Sequence, residues 1–184
     1  MTYTEEFFQA ETDAAFTSAR IVLPTLITPP CTVVDVGCGT GGWALVAQEL
    51  GADITAVDYQ IPAHLALVPI EDWDLAETAY PCKADLAICL EVAEHLPYES
   101  GPHLIRGLAY ATRVLFSAAT PGQPGINHIN CQPHDYWHHL FARYGMTPEH
   151  IGATWAEPVA DFYRRNAFLY ARARNVAPKQ QRPA

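Results

Sequence analysis

Apolar residues fall along this chain in two rhythms, helical spacing in some stretches and short β-branched runs in others. Glu5 to Ile27 carries apolar positions at helical spacing, with Pro24 as a kink or boundary and Pro29-Pro30 as the stop. Cys31 to Val36 is a short β-branched run and reads as a buried strand. Gly37 to Gly42 is a glycine-rich turn, and Trp43 to Leu50 is a helix that ends at Gly51. Ile54 to Val57 predicts a second strand, Asp58 to Ala66 a loop or short helix, and Leu67 to Ile70 a short third strand. Ala84 to Leu90 and Arg113 to Ala118 predict the fourth and fifth strands, with a helix over Pro97 to Tyr110 between them. Thr120 to Gln132 is a loop rich in Pro, Gly and Asn. Pro133 to Tyr144 is a helix with proline in its first turn. Met146 to Trp155 and Phe162 to Ala173 read as two final strands with no helix between them.

Strands alternating with helices predict an α/β three-layer sandwich around a mostly parallel, seven-stranded sheet. The two last strands predict an antiparallel hairpin at one edge. With 184 residues and 49% hydrophobic content, the chain supports one core. The expected division is a single domain over residues 1–175 with an N-terminal helical cover, then a flexible tail over 176–184. No run of about eighteen apolar residues is present, so no membrane span is expected. The polar, acidic stretch from Met1 to Phe16 lacks the basic start and apolar middle of a secretory signal, which predicts a cytoplasmic protein. Five cysteines without a CxxC pair fit reduced thiols rather than a disulfide framework.

Charge narrows the partners. All twenty acids lie between Glu5 and Asp161, a stretch with only five basic residues, while six more follow in Arg164 to Arg182. An acidic body repels phosphate backbones, which argues against tight nucleic-acid binding. The basic end reads as a solvated last strand with a frayed terminus, or as a weak contact with nucleic acid or a membrane surface.

The chemistry begins at VVDVGCGTGGW, Val33 to Trp43, where a strand feeds a glycine turn and a helix. Gly37, Gly39 and Gly42 satisfy a dinucleotide GxGxxG, and Asp58, nineteen residues after Gly39, satisfies its ribose acid. Asp35 separates the two readings. A dinucleotide fold keeps its helix N-terminus clear for pyrophosphate. A site for a sulfonium and an α-ammonium tolerates a carboxylate there. The pattern D-x-G-x-G-x-G, present as Asp35, Gly37, Gly39 and Gly41, resembles the class I S-adenosylmethionine (SAM)-dependent methyltransferase superfamily, with its Rossmann-like fold. The resemblance covers Val33 to Ala119. It implies that Asp35, Gly37, Cys38, Gly39 and Gly41 hold the amino-acid end of SAM. Asp58, with Tyr59 beside it, would take the ribose, and Asp74-Leu75 the adenine, with Asp72-Trp73 as the register alternative.

Ala84 to Pro97, ADLAICLEVAEHLP, resembles a segment of many such enzymes. By that resemblance Glu91 lies beside the methionine part of the cofactor, and Glu94 and His95 face the reaction centre. Three roles compete. Glu94 and His95 brace the loop, or His95 acts as general base, or Glu91, Glu94, His95 and His128 hold a divalent metal such as Mg or Mn. An E-x-x-E-H segment is used for metal binding in small-RNA 2′-O-methyltransferases and in ubiquinone-biosynthesis O-methyltransferases. The loop Phe116 to Trp137 resembles one in small bacterial and phage methyltransferases, some linked to sugar or natural-product modification. His128 and Asn130 either point together at a substrate hydroxyl or bond the loop's own backbone. His134 and His138, four apart on a helix, are a metal pair or a solvated face. Trp43, Tyr136, Trp137, Leu140, Phe141 and Trp155 read as core.

The function expected is methyl transfer to a hydroxyl, or to an amine, of a small-molecule or sugar-like acceptor, with His95, His128 and Glu94 as catalytic candidates. The alternatives are an RNA-end 2′-O-methyltransferase with a Glu/His-bound metal, an NAD-dependent oxidoreductase, and a non-catalytic partner subunit.

Overall fold

Seven strands form one sheet in the computed structural model, which describes residues 5–172. The elements follow in the order α1 (Glu5–Leu26), β1 (Thr32–Val36), α2 (Gly42–Glu49), β2 (Asp53–Asp58), β3 (Ile70–Asp72), β4 (Leu86–Leu90), α3 (Gly101–Leu108), β5 (Arg113–Ser117), α4 (His134–Ala142), β6 (Met146–Glu149), α5 (Asp161–Asn166) and β7 (Phe168–Arg172). The sheet order is β3-β2-β1-β4-β5-β7-β6. β1 to β5 pair in parallel, while β7 runs antiparallel to both β5 and β6. Strand order reverses between β1 and β4, so the crevice for a ligand opens where the loops after these two strands diverge.

The strands are apolar on both faces because helices cover both. Val33, Leu86, Ile88 and Leu115 pack towards α1 and α2 with Val22, Leu23, Leu26, Val46 and Ala47. Val34, Val36, Ala87, Cys89 and Val114 pack towards α3 and α4 with Leu104, Leu108, Trp137, Leu140 and Phe141. Adjacent residues of one strand thus serve opposite layers, as a period of two requires. The buried aromatics Trp43, Trp137 and Phe141 are core, as expected, with Trp155 packed partly buried beside them.

α1 runs through Pro24 to Leu26, close to the expected span; the lost N–H falls in the last turn, where Thr25 Oγ1 bonds Val22 O at 2.7 Å. The structure differs from the sequence expectation at three places. β3 starts at Ile70 rather than Leu67, because Leu67 N–H is taken by Thr40 O at 2.9 Å and Val68 packs against Gly41. The helix expected over Pro97–Tyr110 is a 3₁₀ turn, Tyr98–Ser100, running into α3. The two final strands are shorter than expected and do not form a tight hairpin. A 3₁₀ turn, Ile151–Thr154, and the helix α5 intervene. Asp161 pairs with Arg164 and Arg165 at helical spacing, and Tyr163 and Ala167 are buried one turn apart, a pattern that a strand cannot satisfy.

Those pairings also use the basic end of the chain. Arg164 and Arg165 serve Asp161, and Arg172 donates to the carbonyls of Tyr144 and Ala109. The tail from residue 173 lies outside the described residues. No helix among the described residues is long and apolar enough to cross a membrane.

Gly107 in α3 supplies a test of the packing. Helix propensity alone favours Ala over Gly by about 1 kcal/mol. A Cβ at Gly107 would lie 2.4 Å from Tyr80 O, in a backbone segment tied to the helix by the Cys82 N–H to Gly107 O bond. Gly107→Ala is therefore expected to destabilise by about 1–3 kcal/mol in urea unfolding. Equal or greater stability would show that the 80–82 segment yields freely.

Candidate active site

The loop after β1 is suspended from β2. Val57 O accepts the N–H groups of Gly37 and Cys38 at 2.9 and 3.2 Å. Asp58, at the end of β2, accepts Gly39 N–H at 2.7 Å and Tyr59 N–H at 2.6 Å. Gly37, Gly39 and Gly41 all have positive φ. A Cβ at Gly37 would lie 2.4 Å from Val92, and one at Gly41 2.8 Å from Val68, whereas one at Gly39 would meet nothing within 4 Å. Gly39 therefore floors an open space beside Asp58. Cys38, half-buried, turns its thiol to Gly39 O, and burial and two nearby acids push that thiol far up.

Asp35, in β1, is 3% exposed. It accepts a bond from the Ala44 backbone in the first turn of α2, and its Oδ2 is buried with no donor. Burial first, then the charge of Asp58, pushes its carboxyl up to about 7. The start of α2 thus already carries a protein carboxylate, and a pyrophosphate there would meet Asp35 and Asp58 together. This geometry disfavours the dinucleotide alternative.

On the β3 side, Asp72 accepts Gln60 N–H at 2.9 Å and Asp74 accepts Ala76 N–H at 2.8 Å. The side chain of Leu75 belongs to the core, which leaves its main chain and Asp74 for the ligand side. Tyr59 is exposed at 49% and free to pack on a ligand.

Across the crevice, Glu91 takes up a left-handed φ of 54° at the end of β4, and its N–H bonds Ser117 O and Oγ at 3.0 and 3.1 Å. Glu94, in the 3₁₀ turn Ala93–His95, is fully buried and accepts Ala119 N–H at 3.0 Å. The carboxyls of Glu91 and Glu94 lie close together, and Glu94 Oε2 is buried without a hydrogen-bond partner. Burial, then the charge of Glu94, raises Glu91 to about 8, and burial raises Glu94 as well. His95 stands beside His128, rings 5.0 Å apart. Burial, then His128, holds His95 below the ordinary histidine range, so it is neutral at pH 7; one ring nitrogen serves the backbone at Asn127 and Ile126, and Nδ1 has no partner. The His128 ring lies where a side chain on Gly125 would sit, with Nε2 2.0 Å from that Cβ position.

The four-residue metal set expected from the sequence is not formed as such. Ligand atoms of Glu94, His95 and His128 lie within 4.8 Å of one another, but Glu91 is not among them and turns instead to Asn166. His128 and Asn130 do not act together either. Asn130 is buried, donates to Ala93 O at 3.2 Å, and braces the 3₁₀ turn. His134 and His138 are not a solvated face: both pack on Phe168, and His138 Nδ1 lies 2.7 Å from Tyr170 Oη. Two polar residues of the site escaped the sequence reading. Asn166 was hidden in a segment read as strand, and Gln123 in a loop without a motif.

The raised carboxyls give a stability test. Asp35 moves from 3.8 to about 7 on folding, so its favourable contribution is complete below about pH 4 and is lost as pH rises to about 7. Asp35→Asn keeps an acceptor for Ala44 and removes the ionisation. It is expected to be more stable than wild type at pH 8, on the order of a few kcal/mol, and equal to it near pH 4. Thermal unfolding across this range decides it; parallel pH curves for the two proteins would contradict the burial argument.

The chain matches the family model described as methyltransferase domain over residues 8–146. No curated protein sequence matches it. Its fold is shared with CalO1, a methyltransferase in calicheamicin biosynthesis in its SAH-bound form, at TM-score 0.59 and 16% identity over 89% of this chain and 55% of that one. Human N-acetylserotonin methyltransferase in complex with SAM aligns at TM-score 0.62 and 18% identity, over 90% and 55% of the two chains. Magnesium protoporphyrin IX methyltransferase from Synechocystis PCC 6803 with bound SAM aligns at 0.59 and 20%, over 94% and 87%. The chain spans little more than half the length of the first two. At these identities the likeness is one of fold. The family match across most of the sequence, on a sheet ordered 3-2-1-4-5-7-6, makes this chain a member of the methyltransferase domain family with the class I SAM-dependent fold.

Proposed function

We propose that this protein transfers a methyl group from SAM to a hydroxyl, or to an amine, of a small-molecule or sugar-like acceptor. The observation that carries the reading is the open floor at Gly39 between Asp58 and the unpartnered buried oxygen of Asp35. An α-ammonium would satisfy that oxygen and offset the cost of ionising Asp35. Gly37, Cys38 and Gly41 would shape the same cradle. Asp58 would exchange its bonds to Gly39 and Tyr59 for the ribose hydroxyls, with Tyr59, Asp74 and Leu75 around the base and Glu91 towards the methionine end. When bound, the cofactor supplies a methyl already activated by a sulfonium. The protein then has to align the acceptor, exclude water and take up a proton. His95, neutral at pH 7 with a free Nδ1, is the first choice for that proton, with His128 and Glu94 beside it.

The acceptor class follows from charge. The sequence has no lysine or arginine between Lys83 and Arg106 or between Arg113 and Arg143, so the segments that follow β4 and β5 at the crevice carry neither. This favours neutral or amine-bearing acceptors over phosphorylated ones. The neighbours named for N-acetylserotonin and for calicheamicin biosynthesis agree with a small-molecule acceptor.

A second reading is supported by the clustering of Glu94, His95 and His128. These residues would hold a divalent ion such as Mg or Mn, whose chemistry is to lower the pKa of an acceptor hydroxyl. An RNA-end acceptor would accompany that metal, against the acidic character of the body.

Calorimetric titration with S-adenosylhomocysteine (SAH) tests both. Wild type should bind in the micromolar range, and Asp58→Ala should weaken binding roughly a hundredfold, the worth of two hydrogen bonds to a charged group. Failure to bind SAH, with binding of NAD instead, would sink the reading. Repeating the titration with manganese, on wild type and His128→Ala, separates the metal: tighter binding or direct manganese uptake that the substitution abolishes supports it, and no uptake removes it.

A further inference from the structure

We propose that Asn166 is a positioning residue that latches the first half of the Thr120–Gln132 loop to the cofactor side of the crevice, holding Gln123 with one amide hydrogen and Glu91 with the other. The purpose of the latch rests on the methyl-transfer reading; its existence does not.

Asn166 ends α5 and is 2% exposed. Its Nδ2 lies 3.0 Å from Gln123 Oε1 and 3.3 and 3.5 Å from the two carboxylate oxygens of Glu91. His134, at the start of α4, lies beside the same amide group. One side chain therefore joins the end of β4 and the loop from its place on α5. A buried amide is costly unless hydrogen-bonded, and here both amide hydrogens are engaged.

The two halves of the loop are held differently. Ile129 and Asn130 donate their N–H groups to Glu94 O, both at 2.9 Å, which fixes the second half. Among the described residues, Gln123 is the one member of segment 121–125 that hydrogen-bonds outside the loop. Gln123 O in turn lies 3.3 Å from His128 Nδ1, and the His128 ring lies against Gly125. Release of Gln123 would therefore loosen one of the two histidines at the crevice. On its other side, Asn166 donates to a carboxylate that also meets Glu94 and Ser117, and its donors favour the charged form of Glu91 against burial and the charge of Glu94. Asn166 thus sets both walls at once, the loop with His128 and the carboxyl pair.

Hydrogen–deuterium exchange on the full chain, with and without SAH, reads the latch directly in wild type, Asn166→Leu and Gln123→Leu. The expected result is exchange about tenfold faster over residues 122–128 in both variants, with β1, β4 and α3 unchanged. The proposal is overturned if neither variant loosens the loop. It is equally overturned if Asn166→Leu speeds exchange throughout the sheet while Gln123→Leu changes nothing, because Asn166 would then only fill space. Absence of SAH binding in wild type would instead remove the methyl-transfer reading, and the exchange data would still decide the latch.

Discussion

Buried or half-buried carboxylates stand at the carboxyl ends of β1 and β4, Asp35 beside Asp58 and Glu91 beside Glu94, and none of them pairs with a lysine or arginine among the described residues. Burying an acid without a cation is unfavourable, and the chain answers by raising the carboxyls towards neutrality and by giving Glu91 the Asn166 amide and Glu94 the Ala119 N–H. Such an arrangement is stable alone only in part. The cost is borne by the stability of the protein.

The scaffold makes that concentration of charge possible. The reversal of strand order between β1 and β4 opens a crevice without needing a second domain. On one side, the glycine loop hangs from Val57 and Asp58 and leaves space over Gly39. On the other, the strained backbone at Glu91 turns its carboxyl to Asn166, and the short turn Ala93–His95 sets Glu94 and His95 beside His128. The layer of α5 and β7 closes the remaining side through Asn166, so the C-terminal elements serve the site as well as the sheet edge.

The parallel core of the fold was legible in the sequence. Glycines at 37, 39 and 41, an acid at 35 and another at 58 are local signals: each is set by neighbouring backbone geometry or by the end of a strand, and spacing alone records it. Buried strands of a parallel sheet are continuous apolar runs, so β1, β4 and β5 stood out as well. The edge was less legible. Asp161 to Asn166 is short and flanked by apolar residues, and it reads as strand until its arginines and Tyr163 are given partners.

What the sequence determined by itself is the class of the protein and the glycine loop with its two acids, because those depend on residues close in the chain. What the tertiary structure decided is the far side: that Glu91 turns to Asn166 and away from the histidines, that Asn130 braces and His128 faces His95, and that Gln123 ties the loop down. Those contacts join residues as many as 75 positions apart. They are fixed by which strand ends meet at the crevice, and no local periodicity carries that information.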